Sequence, residues 1–363
     1  MDREIESFIK VWIIAITSLC YCYYIASRFP KGVLRFISLL PIFYLFIILP
    51  LDLHSFHLGA PTTFFLVWLG TFKLLLFSFD HGPLSSSSSS QTNLFHFISI
   101  ACLPIKIKQN PPQITTKTKN PSHQNPHPKS QISSKVPKSV LLTLKISTLA
   151  LLITIYQYRP YLHHYTKLAL YCLHMYLGIE LVLALTAIPA RTLLGLEIEP
   201  QFDEPYLSTS LQDFWGRRWN LMVTSILRPT TYDPIRRLST HLIGSKFASL
   251  PAILAVFVVS GLMHEAIYYY LSRAKPTWEV TCFFVLQGVC TAAEVAAKKV
   301  AGEKWRVNGA VSGGLALGFL VVSGNWLFFP QLLRNGVDQK AIKEYAIVGD
   351  FLKAKFAFPN RNI

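Results

Sequence analysis

The chain has 363 residues, of which 51% are hydrophobic and 15% are charged, and it carries a net charge of +16. Because an ordinary soluble domain has about 25% charged residues, this composition excludes a soluble protein and indicates a membrane protein. The basic residues stand mainly between apolar segments and form no recognisable nucleic-acid-binding motif, so we expect no nucleic-acid partner.

Eight apolar runs follow one another along the chain, each close to the roughly 20 residues that a membrane-spanning helix needs. They cover residues 8–25, 33–50, 61–79, 140–157, 166–188, 249–271, 278–297 and 309–329. The sequence therefore predicts an all-α, polytopic membrane protein with about eight transmembrane helices. We interpret the first run as a membrane helix because the positive region that opens a signal peptide is missing. A further run, 94–105, is too short to span and is expected at the membrane interface.

The loops between these runs differ in charge. The richest basic loops follow the odd-numbered runs, and the loop after the third run carries seven lysines with no acidic residue among them. Loops after even-numbered runs hold fewer bases, although Arg159 and Lys167 follow the fourth run, and Arg273 and Lys275 the sixth. The positive-inside rule predicts that the loops after odd-numbered runs face the cytosol and that both termini are lumenal.

Two long segments between the runs have unlike compositions. Residues 106–139 are rich in Lys, Pro, Gln, Asn and Ser, which predicts a disordered cytoplasmic linker because such a segment cannot bury a core. Its lysines are either solvated or in contact with anionic lipid head groups. Residues 191–246 mix polar and aromatic residues, which indicates a functional loop at the membrane interface or a re-entrant element.

His264 is the first candidate for chemistry, because it lies with Glu265 inside the sixth apolar run and an ionisable pair at membrane depth indicates function. The small residues Ser260 and Gly261 lie one turn earlier, so we expect open space for a substrate beside the imidazole. An imidazole that its apolar surroundings keep neutral can accept a proton from a hydroxyl that attacks a thioester. The alternative is a structural hydrogen bond between helices.

Glu265 is adjacent to His264 in the sequence and therefore points to a different side of the helix. It cannot orient His264 within the same helix. We expect its partner to be a cationic or hydroxyl group on another helix.

The second candidate is the ten-residue stretch 211–220, LQDFWGRRWN, which combines Asp213 with two arginines, two tryptophans and an amide. Arg217 and Arg218 suit phosphates, because guanidinium groups present forked donors. Asn220 is suited to donate to a carbonyl oxygen as negative charge develops there. The alternatives are topology anchoring for the arginines and interfacial packing for Trp215 and Trp219.

Other charges lie within the apolar runs. Glu294 and Lys298 are four residues apart in the favourable order, so we expect them to pair. Glu180 has no cationic partner nearby in the sequence, which suggests that it faces a cavity. Lys73 is expected to extend its amine toward the interface.

Several catalytic motifs do not occur in the sequence. No histidine begins an HxxxD motif, and the chain has no GxSxG, P-loop or GxGxxG pattern. The HExxH pattern of zinc enzymes is broken because Tyr268 occupies its last position. We therefore expect no metal site.

The two candidate motifs resemble the plant wax synthases, which are long-chain-alcohol O-fatty-acyltransferases distantly related to the membrane-bound O-acyltransferases and close to a plant acyl-CoA:sterol acyltransferase. The resemblance is carried by residues 210–234, SLQDFWGRRWNLMVTSILRPTTYDP, and 259–265, VSGLMHE. It extends to the N-terminal half through 72–77, FKLLLF, and 102–106, CLPIK. The FWGRRWN element is highly specific, whereas the His-Glu pair alone is not.

The resemblance implies a helical membrane fold with a buried reaction chamber, which acyl-CoA enters from the cytosol and a hydrophobic alcohol from the bilayer. The family's essential histidine corresponds to His264, and its partner asparagine corresponds to Asn220. The chain then divides into five segments. They are N-terminal membrane helices at 1–105, a basic linker at 106–139, further membrane helices at 140–190, a catalytic region at 191–330 and a C-terminal tail at 331–363. The linker is longer and richer in lysine than the family leads us to expect.

The resulting hypothesis is a multi-pass O-acyltransferase of the endoplasmic reticulum membrane with no bound cofactor or metal and with acyl-CoA as co-substrate. The expected catalytic residues are His264 and Asn220. The expected acyl-CoA-binding residues are Asp213, Trp215, Arg217, Arg218 and Trp219, and the expected supporting residues are Ser260, Gly261 and Glu265. The acceptor is a fatty alcohol or, alternatively, a sterol or triterpenol. A lipid transporter and a non-catalytic scaffold remain alternatives of another class, although no internal repeat supports a transporter.

Overall fold

The computed structural model describes residues 2–85, 93–106, 138–195, 198–302 and 307–356. In these ranges the regular secondary structure is helical, which confirms the predicted all-α class. The predicted linker at 106–139 lies almost wholly outside the described residues. The segment predicted as a C-terminal tail contains a helix, Val337–Phe356, which we call the C-terminal helix.

Eight helical segments of the described ranges are long and apolar enough to cross a membrane, as predicted. They are Arg3–Arg28, Val33–Asp52, Phe56–Ser78, Ser139–Tyr161, His164–Thr192, Ser249–Ser272, Glu279–Ala301 and Gly309–Arg334. The third span begins ahead of the predicted residue 61, because Ser55 caps its first turn by accepting a hydrogen bond from the Leu58 amide at 3.2 Å. The two helices outside the spans that carry most of the loop structure are Leu94–Cys102 and Asp233–Ile243.

Contacts between the loops divide the molecule into two sides. Loops after odd-numbered spans bind one another through pairs that include Lys31 with Asp80, Lys106 with Glu199, and Lys299 with the carbonyl of Lys246. A second group of contacts joins the loops after even-numbered spans with the N-terminus and the C-terminal helix. Its pairs are Glu4 with the His54 amide, Arg273 with the Leu51 carbonyl, and Arg159 with Asp338. We call these the basic side and the terminal side. The division agrees with eight crossings of the membrane.

The short helix Leu94–Cys102 packs against the first span and buries Phe97 and Ile100 in the N-terminal core. Lys73 of the third span is fully buried and donates to the carbonyl oxygens of Ile100 at 2.6 Å and Leu103 at 2.7 Å. The first bond satisfies a carbonyl that the end of the short helix leaves without a backbone partner, and the second adds to the bond that the Leu103 carbonyl accepts from the Ile105 amide at 2.8 Å. The prediction that Lys73 extends toward the interface is therefore wrong.

Two acidic residues within the spans, Glu294 and Glu180, have lysine partners. Glu294 and Lys298 form the expected pair, with 2.5 Å between carboxylate and amine. Glu180 of the fifth span binds Lys145 of the fourth span. The partner of Glu180 comes from another helix, so the lack of a basic residue nearby in the sequence did not indicate an unpaired charge.

Candidate active site

The spans enclose a chamber with a volume of about 1380 Å³. Its mostly apolar wall comes from the third to the eighth spans, the loop after the fifth span and the C-terminal helix. The chamber extends from Arg217 and Arg228 on the basic side to His57 and Asp338 on the terminal side. Pockets for one small molecule measure about 300–1,000 Å³, so this chamber has room for more than one.

Two sequence motifs that lie far apart in the chain meet at this chamber. The sixth span contributes His264 and Ser260, and the loop after the fifth span contributes Trp215, Trp219 and Asn220. The structure thus brings both predicted catalytic residues to one cavity.

The His264 side chain has a defined hydrogen-bond geometry. Its Nδ1 atom lies 2.7 Å from the carbonyl oxygen of Ser260, one turn earlier in the same helix. Because a carbonyl oxygen only accepts, Nδ1 carries the hydrogen and Nε2 is left as an acceptor. Nε2 has no hydrogen-bond partner among the described residues, so it is free to accept a proton from a molecule in the chamber.

Three aromatic rings, which we call the aromatic collar, surround the imidazole of His264. Phe284 stacks on it with ring centres 4.2 Å apart, Trp68 meets it edge-on at 5.1 Å, and Phe328 approaches at 5.9 Å. These contacts, together with the bond to Ser260, fix the orientation of the ring. None of the three aromatic residues stands out in the sequence, because each lies in an apolar run that looks like an ordinary membrane helix.

Gly261 has a packing role that differs from the predicted one. A Cβ atom at this position would lie 3.1 Å from the Thr281 Cα and 3.3 Å from the Phe284 Cβ. The glycine therefore permits close approach of the sixth and seventh spans, which in turn brings Phe284 onto His264. The expectation that Gly261 leaves open space for a substrate is wrong, whereas Ser260 does line the chamber.

Glu265 points away from the chamber and is buried between two spans. Its carboxylate accepts hydrogen bonds from the Trp278 amide and the Thr281 hydroxyl, both at 3.1 Å. The predicted hydroxyl partner on another helix is thus confirmed. These bonds fix the start of the seventh span beside the sixth.

The loop after the fifth span presents Asn220 in an unusual backbone conformation. Its φ is +41°, in the left-handed region, which asparagine adopts more readily than most residues. The side-chain Oδ1 accepts from the Val223 amide at 3.3 Å and caps the helix Leu221–Leu227. The amide nitrogen has no described partner, so it is available to donate toward the chamber.

The neighbouring arginines of this loop face different surroundings. Arg217 lines the chamber. Arg218 binds Asp213 at 2.7 Å and donates to the carbonyls of Asp203 and Glu204 at 3.1 and 3.3 Å. Burial alone raises the pKa of Asp213, but hydrogen bonds from Arg218 and the Thr209 amide outweigh it and leave the pKa lowered. Arg218 and Asp213 therefore hold the loop together, and neither lines the chamber.

The two tryptophans of the loop are anchored by packing and by one polar chain. Trp219 stacks on Phe214 with ring centres 5.3 Å apart. Trp215 donates from Nε1 to Gln287 at 3.3 Å, and Gln287 donates to the Ser323 hydroxyl at 2.8 Å. Gln287 is fully buried and links the loop to the seventh and eighth spans. No pattern in the sequence distinguishes this glutamine.

The chamber wall also contains four stretches that widen from α-helical to π-helical hydrogen bonding. They are Phe64–Gly70, Phe214–Arg218, Arg228–Tyr232 and Gly324–Phe328. Each contributes side chains to the lining. Such wide turns are frequent at functional sites. The third of these stretches adds Arg228 and Tyr232, which do not stand out in the sequence, to the chamber wall. We call the end of the chamber beside Arg217 and Arg228 the basic-side mouth.

Comparison with known proteins gives a consistent picture. The profile of the membrane bound O-acyl transferase family matches residues 198–286, which include both motifs. The chain is 49% identical over 356 residues to the long-chain-alcohol O-fatty-acyltransferase of Simmondsia chinensis, covering 98% of this chain and 97% of that protein. It is 48% identical over 355 residues to probable long-chain-alcohol O-fatty-acyltransferase 1 of Arabidopsis thaliana, with 97% and 98% covered. It is 44% identical over 345 residues to acyl-CoA–sterol O-acyltransferase 1 of Arabidopsis thaliana, with 95% and 96% covered.

Proposed function

We propose that this chain, which belongs to the plant wax synthase (long-chain-alcohol O-fatty-acyltransferase) family of membrane-bound O-acyltransferases, transfers a fatty acyl group from acyl-CoA to a long-chain alcohol. The products are a wax ester and free CoA. The observation that carries the proposal is the unshared Nε2 of His264, which faces an apolar chamber large enough for two substrates. That geometry suits a general base for an apolar hydroxyl compound.

His264 moves the proton in this reaction. The alcohol hydroxyl donates to Nε2, its oxygen attacks the thioester carbonyl carbon, and its proton passes to Nε2. The resulting imidazolium is stabilised by the Ser260 carbonyl at Nδ1 and by the stacked ring of Phe284. The C–S bond then breaks as the carbonyl re-forms, and the CoA thiolate takes the proton from Nε2. The imidazole returns to its starting form.

Asn220 stabilises the negative charge that develops on the carbonyl oxygen. Its amide nitrogen has no described partner, while its Oδ1 is held by the helix cap. The side chain is therefore oriented before the substrate arrives, which makes a donor more effective. The reaction uses only side chains of this protein and the co-substrate acyl-CoA, so it needs no bound cofactor or metal.

The basic-side mouth holds the CoA part of the donor. Arg217 and Arg228 line the chamber there, and guanidinium groups bind phosphates through forked donors. Trp215 and Trp219 also line the chamber, and Trp215 packs against Phe284, which stacks on His264. We place the basic side toward the cytosol, where acyl-CoA is dissolved, and the protein in the endoplasmic reticulum membrane.

A sterol or triterpenol is the second candidate acceptor. The relative named as an acyl-CoA–sterol acyltransferase matches nearly the whole chain. A rigid ring system also fits the volume of the chamber. The chemistry at His264 is the same for both acceptors.

The test is an acceptor screen with the purified chain in lipid nanodiscs. Labelled acyl-CoA is supplied with hexadecanol, a sterol, a triterpenol or diacylglycerol, each separately. We expect ester from hexadecanol, reduced about 10²- to 10⁴-fold in His264→Gln, the usual contribution of a general base. His241→Gln, in the exposed helix of the basic-side loop, is the matched control and keeps full activity. Undiminished ester formation by folded His264→Gln would falsify the assignment of the base, and ester from the sterol alone selects the second candidate.

A further inference from the structure

The terminal-side end of the chamber is polar, although most of the chamber wall is apolar. Five side chains meet there, from the third and fifth spans and the C-terminal helix: His57, Tyr171, His174, Asp338 and Tyr345. We call them the terminal cluster. The proposed acyl transfer uses none of them, because the reacting groups lie at His264 and the CoA phosphates at the opposite mouth.

Hydrogen bonds fix the members of the terminal cluster in place. The Tyr345 hydroxyl binds His174 Nε2 at 3.0 Å, and the Tyr171 hydroxyl donates to Asp338 at 2.9 Å. Arg159 also donates to the same Asp338 oxygen at 3.0 Å. The His57 ring packs on Tyr345 with ring centres 4.3 Å apart. The cluster is therefore a rigid polar surface that exists before any ligand arrives.

Two atoms of this surface are buried and have no hydrogen-bond partner among the described residues. They are Nε2 of His57 and Oδ1 of Asp338. Both residues line the chamber. Buried polar atoms are nearly always paired, so two unpaired atoms at one end of a cavity point to a polar group that is absent from the structure.

Glu344 determines which ring nitrogen of His57 carries the hydrogen. Its carboxylate accepts from His57 Nδ1 at 2.8 Å and from the Phe56 amide at 2.6 Å. Burial alone raises the pKa of Glu344, but hydrogen bonds from His57, Phe56 and Ser55 outweigh it and lower the pKa to about 2. The carboxylate is ionised at physiological pH, so Nδ1 is the donor. A neutral His57 then presents Nε2 as an acceptor, suited to a hydroxyl.

The distance from the reacting centre sets the length of a chain that can reach the cluster. Trp68 touches His264, and His57 precedes Trp68 by eleven residues (68 − 57) in the same span. At about 1.5 Å per helical residue the separation is roughly 16 Å. With C–C bonds of about 1.5 Å in a zigzag, that distance takes on the order of a dozen carbons. Ala60, Pro61 and Phe64 line the interval.

We propose that the terminal cluster is a hydroxyl-binding subsite for the far end of a bifunctional chain whose other end reacts at His264. The inference rests on the proposed acyl transfer and specifies the class of its substrates more narrowly. The hydroxyl can come from an α,ω-diol acceptor or from an ω-hydroxyacyl-CoA donor. The hydroxyl hydrogen pairs with one of the two free acceptors, and a methyl group at the same place would leave both unpaired. Sites built to bind a hydroxyl discriminate strongly against analogues that lack it.

The experiment compares kcat/KM values for chains of equal length with the purified full chain in nanodiscs. One arm pairs plain acyl-CoA with dodecane-1,12-diol or dodecan-1-ol. The other pairs dodecan-1-ol with ω-hydroxyacyl-CoA or plain acyl-CoA. In one of the two arms we expect kcat/KM to be about tenfold higher for the hydroxylated chain, which is the effect of one hydrogen bond. The value for the diol is first halved, because its two hydroxyls are equivalent. Hexane-1,6-diol is too short to reach the cluster, so we expect no preference for it over hexan-1-ol.

Two variants remove the free acceptors. His57→Asn keeps a donor for Glu344 and lacks the Nε2 atom, and Asp338→Asn replaces the free acceptor by a donor. Because the hydroxyl hydrogen pairs with one of the two acceptors, we expect one of these variants to bring the preference ratio close to one. His54→Asn is the matched control, because His54 lies exposed just before the third span and its backbone amide keeps its bond to Glu4. Its ratio should equal that of the unmodified protein.

The outcomes separate the two proposals. Ester from dodecan-1-ol with no preference in either arm overturns the subsite and leaves the acyl transfer standing. An equal preference for the short diol, or a preference that both variants retain, also overturns the subsite. No ester from any combination overturns the acyl transfer and the subsite with it.

Discussion

Trp68 stands edge-on to the imidazole of His264, with 5.1 Å between the ring centres, although the two residues belong to the third and the sixth spans. The contact couples the N-terminal half of the chain to the candidate general base. It shows why the family likeness extends beyond the catalytic region. The third span forms part of the wall of the candidate active site.

Replacing Trp68 with Leu is expected to reduce kcat more than it changes KM for acyl-CoA. The aromatic contact is worth about 0.5–1.5 kcal/mol, or roughly two- to tenfold in rate. Trp68→Phe keeps an aromatic edge and should recover most of the loss. Steady-state kinetics of the two variants provide the measurement. A Leu variant with the full rate would show that the imidazole keeps its orientation without this ring.

Gly261→Ala is expected to destabilise the protein by about 1–3 kcal/mol, the usual cost of overpacking. The added Cβ would lie within 3.3 Å of both Thr281 and Phe284, so the sixth and seventh spans must separate. Gly318→Ala is the matched control, since no atom lies within 4 Å of the added Cβ in the eighth span. Thermal unfolding of both variants checks the prediction. Equal midpoints would mean that the two spans yield without cost.

Arg217→Ala and Arg218→Ala should have different effects despite being neighbours. Arg217 lines the chamber, so its loss should raise KM for acyl-CoA about tenfold. Arg218 is bound to Asp213 within the loop, so its loss should lower stability by about 1–3 kcal/mol. KM values and unfolding midpoints measured side by side test this. An unchanged KM in Arg217→Ala would remove that residue from the phosphate site.

Acid should detach the C-terminal helix through Glu344. Its pKa is about 2, below the ordinary value of 4.5, so ionised Glu344 stabilises the fold above pH 4.5 and that contribution is lost as pH falls toward 2. Solvent screening weakens the interactions of this half-buried carboxylate, so the loss is about 1–3 kcal/mol. Unfolding midpoints from pH 6 to pH 2 provide the measurement. Glu344→Gln should be less stable at pH 6 and should show a weaker decline in acid.

Local patterns were enough to predict the eight spans and the two motifs that meet at the chamber. Apolar length set the eight crossings, and the FWGRRWN element with the buried His264 identified the family. What the sequence could not show depends on contacts between distant residues. Phe284 looks like any membrane-helix residue until Gly261 brings its helix to His264. Lys73 looked like a lysine that reaches water, because its carbonyl partners lie on a separate short helix.

The aromatic collar has a consequence for the side reaction that competes with ester formation. Trp68, Phe284 and Phe328 lie around His264, so apolar rings cover the surroundings of the base and limit the access of water to it. Water activated by the same imidazole would hydrolyse the acyl-CoA thioester. The three rings that orient the imidazole therefore also favour ester formation over hydrolysis.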